Sequence, residues 1–155
     1  MRRTIVPKAL VVYATRTNQT KGIGELIAEG LRTSGVDVTV LSVQEFDKGE
    51  VDPRDFDAVV LGSATYHGEM MQPMKTFLFK LEQYDLKGKV GGAFGAFGWS
   101  GEAPGRIFET MKNIYLMEMV SGPLKLKSSA LSGGMQMAQR YGQEIAQKLK
   151  AAAST

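Results

Sequence analysis

The apolar run from Ala9 to Ala14 stops abruptly at T-R-T-N-Q-T, Thr15 to Thr20, and an amphipathic pattern then runs from Lys21 through Leu31. No other stretch restricts the fold as much. A β-rich segment that is apolar on both faces belongs in the middle of a parallel sheet with both faces covered. A short polar loop that opens a helix is also a common way to build a phosphate site. The first N–H groups of a helix have no intrahelical partner, and the helix dipole is positive there. Thr15, Thr17 and Thr20 offer hydroxyl donors, and the amides around Asn18 and Gln19 offer N–H groups. Such a site needs no Lys or Arg beneath the phosphate. The same residues admit a plainer reading, in which Asn18 or Thr17 only caps the helix.

The strand–helix alternation continues along the whole chain. The first helix is expected from about Asn18 to Ser34, with Ile23, Leu26, Ile27 and Leu31 on one face and Gly35 ending it. Val36 to Val43 alternates as a half-exposed strand suited to a sheet edge. Gln44 to Phe56, acidic and carrying Asp52-Pro53, reads as loop with at most a short helix. Asp57 to Ser63 is the third strand and Val90 to Ala96 a Gly-rich fourth, with a helix from about Pro73 to Tyr84 between them. A further helix covers about Ala103 to Leu116. The last strand lies around Leu124 to Lys127, and a final helix from about Leu131 to Lys150 carries Met135, Ala138, Ile145 and Leu149. Residues 1–7 read as a basic arm and 151–155 as a frayed tail of one domain spanning 1–155. Right-handed crossovers turn this alternation into an open five-stranded parallel sheet with helices on both faces. The most apolar strand is the first and the most amphipathic the second, which fits the order 2-1-3-4-5, with a ligand beyond the carboxyl ends of strands one and three.

Composition narrows the chemistry. With 155 residues, 43% hydrophobic and 23% charged, the chain has the make-up of a soluble globular domain, and it holds no apolar run long enough for a membrane span. M-R-R-T-I-V-P-K lacks the apolar segment of a signal peptide. With no cysteine there are no disulfides, thiolate nucleophiles or cysteine-held clusters, and a single His without a carboxylate cluster leaves no metal site. Any redox chemistry must come from a bound organic cofactor. The net charge of +3 is carried by Arg2, Arg3 and Lys8, so the body of the domain is balanced.

In the expected sheet, the loops after strands one, three and four open at one edge. The second loop, Ser63-Ala64-Thr65-Tyr66-His67-Gly68, brings a tyrosine. The third, Ala96-Phe97-Gly98-Trp99-Ser100-Gly101, brings a tryptophan among glycines. Either ring alone is explained as well by packing. A phosphate grip beside two aromatic rings, however, suits a flat heteroaromatic ring on a phosphorylated chain. The loop is not a P-loop or a dinucleotide fingerprint, because the G-x-x-x-x-G-K-[ST] and G-x-G-x-x-G glycines are missing. Ala14-Thr15 lacks the acidic residues of a receiver domain, and Trp99-Ser100-Gly101 does not fit a G-x-S-x-G hydrolase.

On T-R-T-N-Q-T, L-G-S-A-T-Y-H-G and F-G-A-F-G-W-S-G-E-A the chain resembles the flavodoxin family over nearly its whole length, with loops closest to the flavodoxin domain of flavodiiron proteins. The resemblance implies a cytoplasmic FMN-binding electron carrier. It would work with redox protein partners (a reductase and an acceptor), without nucleic acid or membrane insertion. Thr15, Arg16, Thr17, Asn18, Gln19 and Thr20 would take the phosphate, and Tyr66 and Trp99 would lie against the isoalloxazine. Gly122 to Ser129 leaves no room for the long insertion that interrupts the fifth strand in long-chain members, so the short-chain type is expected. His67 stands where many members have Gly, and Gly68 comes one later, which implies poor stabilisation of the one-electron-reduced flavin. His67 can also tune the potential with pH or simply face solvent. Arg16 can neutralise phosphate, present charge to a partner or point to water. The balanced charge departs from the acidic members of the family. The alternatives are a small FMN-dependent oxidoreductase, of quinone reductase or protoporphyrinogen dehydrogenase type, and an interaction module of the same fold that has lost its cofactor.

Overall fold

The computed structural model describes residues 6–15, 18–66, 68–97, 101–127 and 131–153. In chain order its elements are β1 (Lys8–Ala14), α1 (Gln19–Thr33), β2 (Asp37–Ser42), α2 (Val43–Lys48) and β3 (Ala58–Ser63). Then come the short strands β4 (Thr65–Tyr66) and β5 (Glu69–Met70), α3 (Gln72–Leu81), β6 (Val90–Phe97) and α4 (Glu102–Asn113). Finally there are β7 (Glu118–Met119), β8 (Leu124–Lys127) and α5 (Leu131–Ala153).

Side-chain alternation along β1 divides the core into two layers. Ala9, Val11 and Tyr13 pack with Ile23, Ile27 and Leu31 of α1 and with Tyr141, Ile145 and Leu149 of α5. Leu10, Val12 and Ala14 point the other way, into Met74, Phe77 and Leu81 of α3 and Ile107 and Met111 of α4. Period-two geometry makes one strand serve both layers, as its apolar character on both faces requires. Val11 pairs with Val40 on one side and with Val60 on the other, both in parallel register.

The main sheet runs β2-β1-β3-β6, with β7 and β8 both pairing in parallel with β6 on its remaining edge. This is the expected 2-1-3-4-5 architecture with its fifth position filled by two short strands in tandem. The break between them is only Val120–Pro123, so no long insertion occupies it. β7 reaches Val90 and Gly91, and β8 begins opposite Phe94, which leaves Ala93 without a strand partner on that edge. Tyr141 from α5 fills the gap. Its hydroxyl accepts from Ala93 N–H at 3.0 Å and lies 2.7 Å from Gly122 O and 3.1 Å from Ala93 O, to which it can donate. One phenol thus completes the sheet edge where the strand is interrupted.

Helices α1 and α5 approach to backbone contact. A Cβ on Gly30 would lie 2.1 Å from Gln139 O, and one on Gly142 would lie 2.2 Å from Ile27 O. α1 ends in a Schellman motif: Val36 N–H bonds Leu31 O at 3.0 Å, Gly35 N–H bonds Arg32 O at 3.0 Å, and Gly35 takes φ +88°.

Several elements differ from the sequence reading. Ser63 to Glu69 is no plain loop: Thr65 and Tyr66 pair antiparallel with Met70 and Glu69 around a tight turn. α3 stops at Leu81, three residues early, because Glu82, Gln83 and Tyr84 donate to Phe79, Lys80 and Leu81 in a tightening final turn. α4 stops at Asn113, and Leu116 beyond it has φ +56°, which no helix can continue through. α5 extends to Ala153 instead of fraying from Ala151, since alanine is the strongest helix former. Met135 is 50% exposed, and the buried face of α5 runs through Ala138, Tyr141, Ile145 and Leu149 instead. Pro7, assigned to the arm, accepts from Asp37 N–H at 2.9 Å and so joins the sheet edge. The remainder of the arm to Ile5, and Ser154 and Thr155, lie outside the described residues.

Burial pushes the Tyr141 hydroxyl well above the usual phenol range, and it pushes Tyr115, which donates to Leu78 O, up to about 12. Both are neutral in the fold but ionise near pH ~10 when unfolded, so the stability they lend is full below that pH and is lost as pH rises through the folded values. Tyr141→Phe should lower unfolding free energy by about 1–3 kcal/mol at neutral pH, since Ala93 N–H loses its partner. It should also flatten the alkaline loss seen in urea unfolding. Gly142→Ala should cost about 1–3 kcal/mol by forcing the helices apart. Gly105→Ala, where nothing lies within 4 Å, should stabilise by up to about 1 kcal/mol through helix propensity.

Candidate functional site

Parallel strands β1, β3 and β6 end at one edge of the sheet, and Ala64 N–H reaches Ala14 O at 3.4 Å to join the first two ends. The three polar loops leave from this edge, as a doubly wound sheet requires. Helix α1 begins at Gln19, four residues beyond the end of β1. Asn18 is its N-cap in left-handed conformation, φ 66° and ψ 4°, and its side chain makes no capping hydrogen bond. No acidic side chain lies in the first turn. The plain capping reading of Asn18 therefore fails, and no described side chain caps this helix end or offsets its positive dipole. Two other helix starts are closed by contrast, while α3, with Met71 as its N-cap, also lacks a side-chain cap and carries Pro73 in its first turn. Ser42 and Glu45 form a capping box on α2, and at α4 Ala103 N–H donates to Thr65 Oγ1 at 3.0 Å with Glu102 in the first turn.

Thr15 and Thr20 flank the open end of α1. Both hydroxyl oxygens are buried without a hydrogen-bond partner, and Thr20 is fully buried. Native interiors rarely leave such groups unsatisfied, because each costs of order 1–3 kcal/mol. Two orphaned hydroxyls beside an uncapped helix N-terminus have the donor chemistry of a site for an anionic phosphate. Gln19 is the first residue of the helix and Thr20 the second.

The second loop is fixed from within. Ser63 is fully buried; its hydroxyl accepts from Met71 N–H at 3.0 Å and donates to Ala64 O at 2.9 Å. Thr65 already caps α4. The Ser63 hydroxyl is committed both as acceptor and as donor, and that of Thr65 as acceptor, so both shape the loop. Tyr66 pairs with Glu69, and Gly68 in the turn between them takes φ +74°. Glu69 is held by Lys75 of α3 at 3.2 Å and by Arg106 of α4 at 3.8 Å. Sequence reasoning missed this clamp; the only local signal was the Gly-bearing turn expected of a hairpin. In the third loop Ala96 is buried in the α1–α5 layer, and Gly101, the N-cap of α4, lies against the Phe97 ring, 3.1 Å from a would-be Cβ. Arg16, Thr17, His67, Gly98, Trp99 and Ser100 lie outside the described residues.

Comparison with known proteins agrees with this geometry. The flavodoxin family model matches residues 11–151, and the chain belongs to the flavodoxin family. A flavodoxin from the domain Archaea superposes with a TM-score of 0.84 at 34% identity, over 92% of this chain and 99% of that one. A type A flavoprotein of Rhodobacter capsulatus is 28% identical over 145 residues, which is 90% of this chain and 33% of that protein. The flavodiiron protein of Giardia intestinalis shares the fold, with a TM-score of 0.84 at 23% identity over 93% of this chain and 36% of that one. The chain spans about a third of the length of the curated relatives it matches.

Thr20→Val removes an unsatisfied buried hydroxyl at nearly constant volume. It should raise the stability of the flavin-free protein by about 1 kcal/mol in urea unfolding, the reverse of the usual effect of a buried substitution.

Proposed function

We propose that the chain binds FMN and carries electrons between redox proteins. The observation that carries this reading is the pair of orphaned hydroxyls, Thr15 and Thr20, at the uncapped N-terminus of α1. In this reading they donate to the phosphate together with Thr17 and the amides of Asn18, Gln19 and Thr20, while the helix dipole offsets its charge. Arg16 adds charge at the mouth of the same loop. The second loop, Ser63 to Gly68, and the third, Ala96 to Gly101, flank the ring, with Tyr66 and Trp99 as its walls. The Glu69 clamp and the Thr65 cap tie the second loop to α3 and α4, which fixes its backbone before the ligand arrives. The isoalloxazine, when bound, supplies the electron-accepting and electron-donating group. Likeness to a flavodoxin that this chain matches over 99% of its length supports a carrier. Its partners would be a reductase and an acceptor protein, and its location the cytoplasm. No helix among the described residues is long and apolar enough to cross a membrane.

Titrating FMN into the protein while following Trp99, its only tryptophan, should quench that fluorescence with a Kd below about 1 µM. The loaded protein should take electrons through a partner reductase. Steady reduction of a quinone by NAD(P)H without such a partner would instead mark a small flavin-dependent reductase.

A further inference from the structure

We propose that Glu69 is a positioning residue for the ring half of the site, and that it makes this half, but not the fold around the phosphate half, respond to ionic strength; this rests on the reading that the chain binds FMN. The hairpin of β4 and β5 stands outside the main sheet as a two-stranded sheet of its own, with two residues in each strand. An isolated hairpin is marginal at best in water, so its shape depends on what it touches. Its base is pinned without charges. The Ser63 hydroxyl accepts from Met71 N–H at 3.0 Å, Thr65 Oγ1 accepts from Ala103 N–H at 3.0 Å, and Met70 is buried in the α3–α4 layer.

Nearer the tip, Tyr66 pairs with Glu69, and there the Glu69 carboxylate reaches two helices. Its Oε2 lies 3.2 Å from Lys75 Nζ of α3, and its Oε1 lies 3.8 Å from Arg106 Nη1 of α4. Each carboxylate oxygen serves a different cation. Arg106 stands about one helical turn beyond Ala103, so α4 holds base and tip of the hairpin from the same side. The side chains of Glu69, Lys75 and Arg106 are 44%, 35% and 56% exposed. Water and salt therefore reach all three, and such a network weakens as ionic strength rises.

The phosphate half is held by different physics. Helix α1 is seated by backbone packing on α5 at Gly30 and Gly142, and salt does not screen close packing. Tyr66 is a wall of the ring in the proposed function, and Glu69 is its backbone partner. Loss of the Glu69 charge should therefore cost affinity for the ring by a modest factor and leave the preference for a phosphate untouched.

The test uses riboflavin, which is neutral and carries the ring without the phosphate, so salt does not act on the charge of the ligand. The wild type should bind it about two- to fivefold more weakly in about 0.5 M than in about 20 mM sodium chloride. Glu69→Gln should bind riboflavin at both salts as the wild type does at high salt, and at low salt should lose the same factor for FMN. Its urea-unfolding midpoint should stay near that of the wild type, as for other surface substitutions. Lys80→Gln, which breaks the exposed pair with Asp47 of α2, should leave riboflavin binding unchanged. A wild-type affinity indifferent to salt, wild-type affinity in Glu69→Gln at low salt, a Glu69→Gln protein that keeps the salt dependence, or a loss confined to FMN would each overturn the proposal. In the flavin-free protein the amide shifts of Tyr66 and Gly68 should move with salt in the wild type and stay fixed in Glu69→Gln. That readout judges the clamp even if the chain takes up no flavin, so the two readings fail separately.

Discussion

Helix α1 is seated by backbone contact with α5, at Gly30 and Gly142, and the remainder of the site follows from where that contact puts its first turn. With the two helices pressed to within reach of each other's carbonyls, Ile23, Ile27 and Leu31 reach the odd-numbered face of β1. The start of α1 is thereby brought directly over the carboxyl end of the central strand. Close-packed interiors resist small displacements, so the uncapped turn at Asn18 and the hydroxyls of Thr15 and Thr20 are held in place by contacts about two to three turns away, at Ile27 and Gly30. The same α5 supplies Tyr141 to close the broken sheet edge, and one helix thus fixes both the first loop and the fifth position of the sheet.

That arrangement leaves two hydroxyls without partners, a local departure from what stability alone would select. Elsewhere the described structure satisfies comparable groups with care: Ser63 is bonded twice, Thr65 caps a distant helix, and Ser42 and Glu45 cap each other. Among the described residues the unsatisfied buried hydroxyls are confined to this one helix end, which is characteristic of a functional site. A phosphate there would convert the deficit into charge-assisted hydrogen bonds, so ligand binding and fold stability are coupled through the same two side chains.

Much of this was legible in the sequence because it is written in local periodicity. The two-faced apolarity of Ala9 to Ala14 marks a central strand, the spacing of Ile23, Ile27 and Leu31 marks a helix, and Gly35 marks its end. Features set by distant contacts left no such mark. Tyr141 meets Ala93 across 48 positions, and its need for a hydroxyl arises only because the fifth strand breaks at Val120–Pro123. β4, β5 and β7 have two residues each, too few for alternation to show. Ser63 and Thr65 sit in the second loop, where a hydroxyl has the same sequence signature whether it faces a ligand or a backbone amide; the N–H groups they accept from, of Met71 and Ala103, lie at the starts of other elements.

The central claim is that Thr15 and Thr20 serve a phosphate, and the most direct measurement compares FMN with riboflavin, which shares the ring but lacks the phosphate. Affinities for both would be taken on the wild type and on Thr20→Val. The wild type should prefer FMN by at least about a hundredfold, or about 2.7 kcal/mol. Thr20→Val should lose most of this preference while binding riboflavin as before. Equal affinity for the two ligands, or a preference that Thr20→Val leaves intact, would contradict that claim.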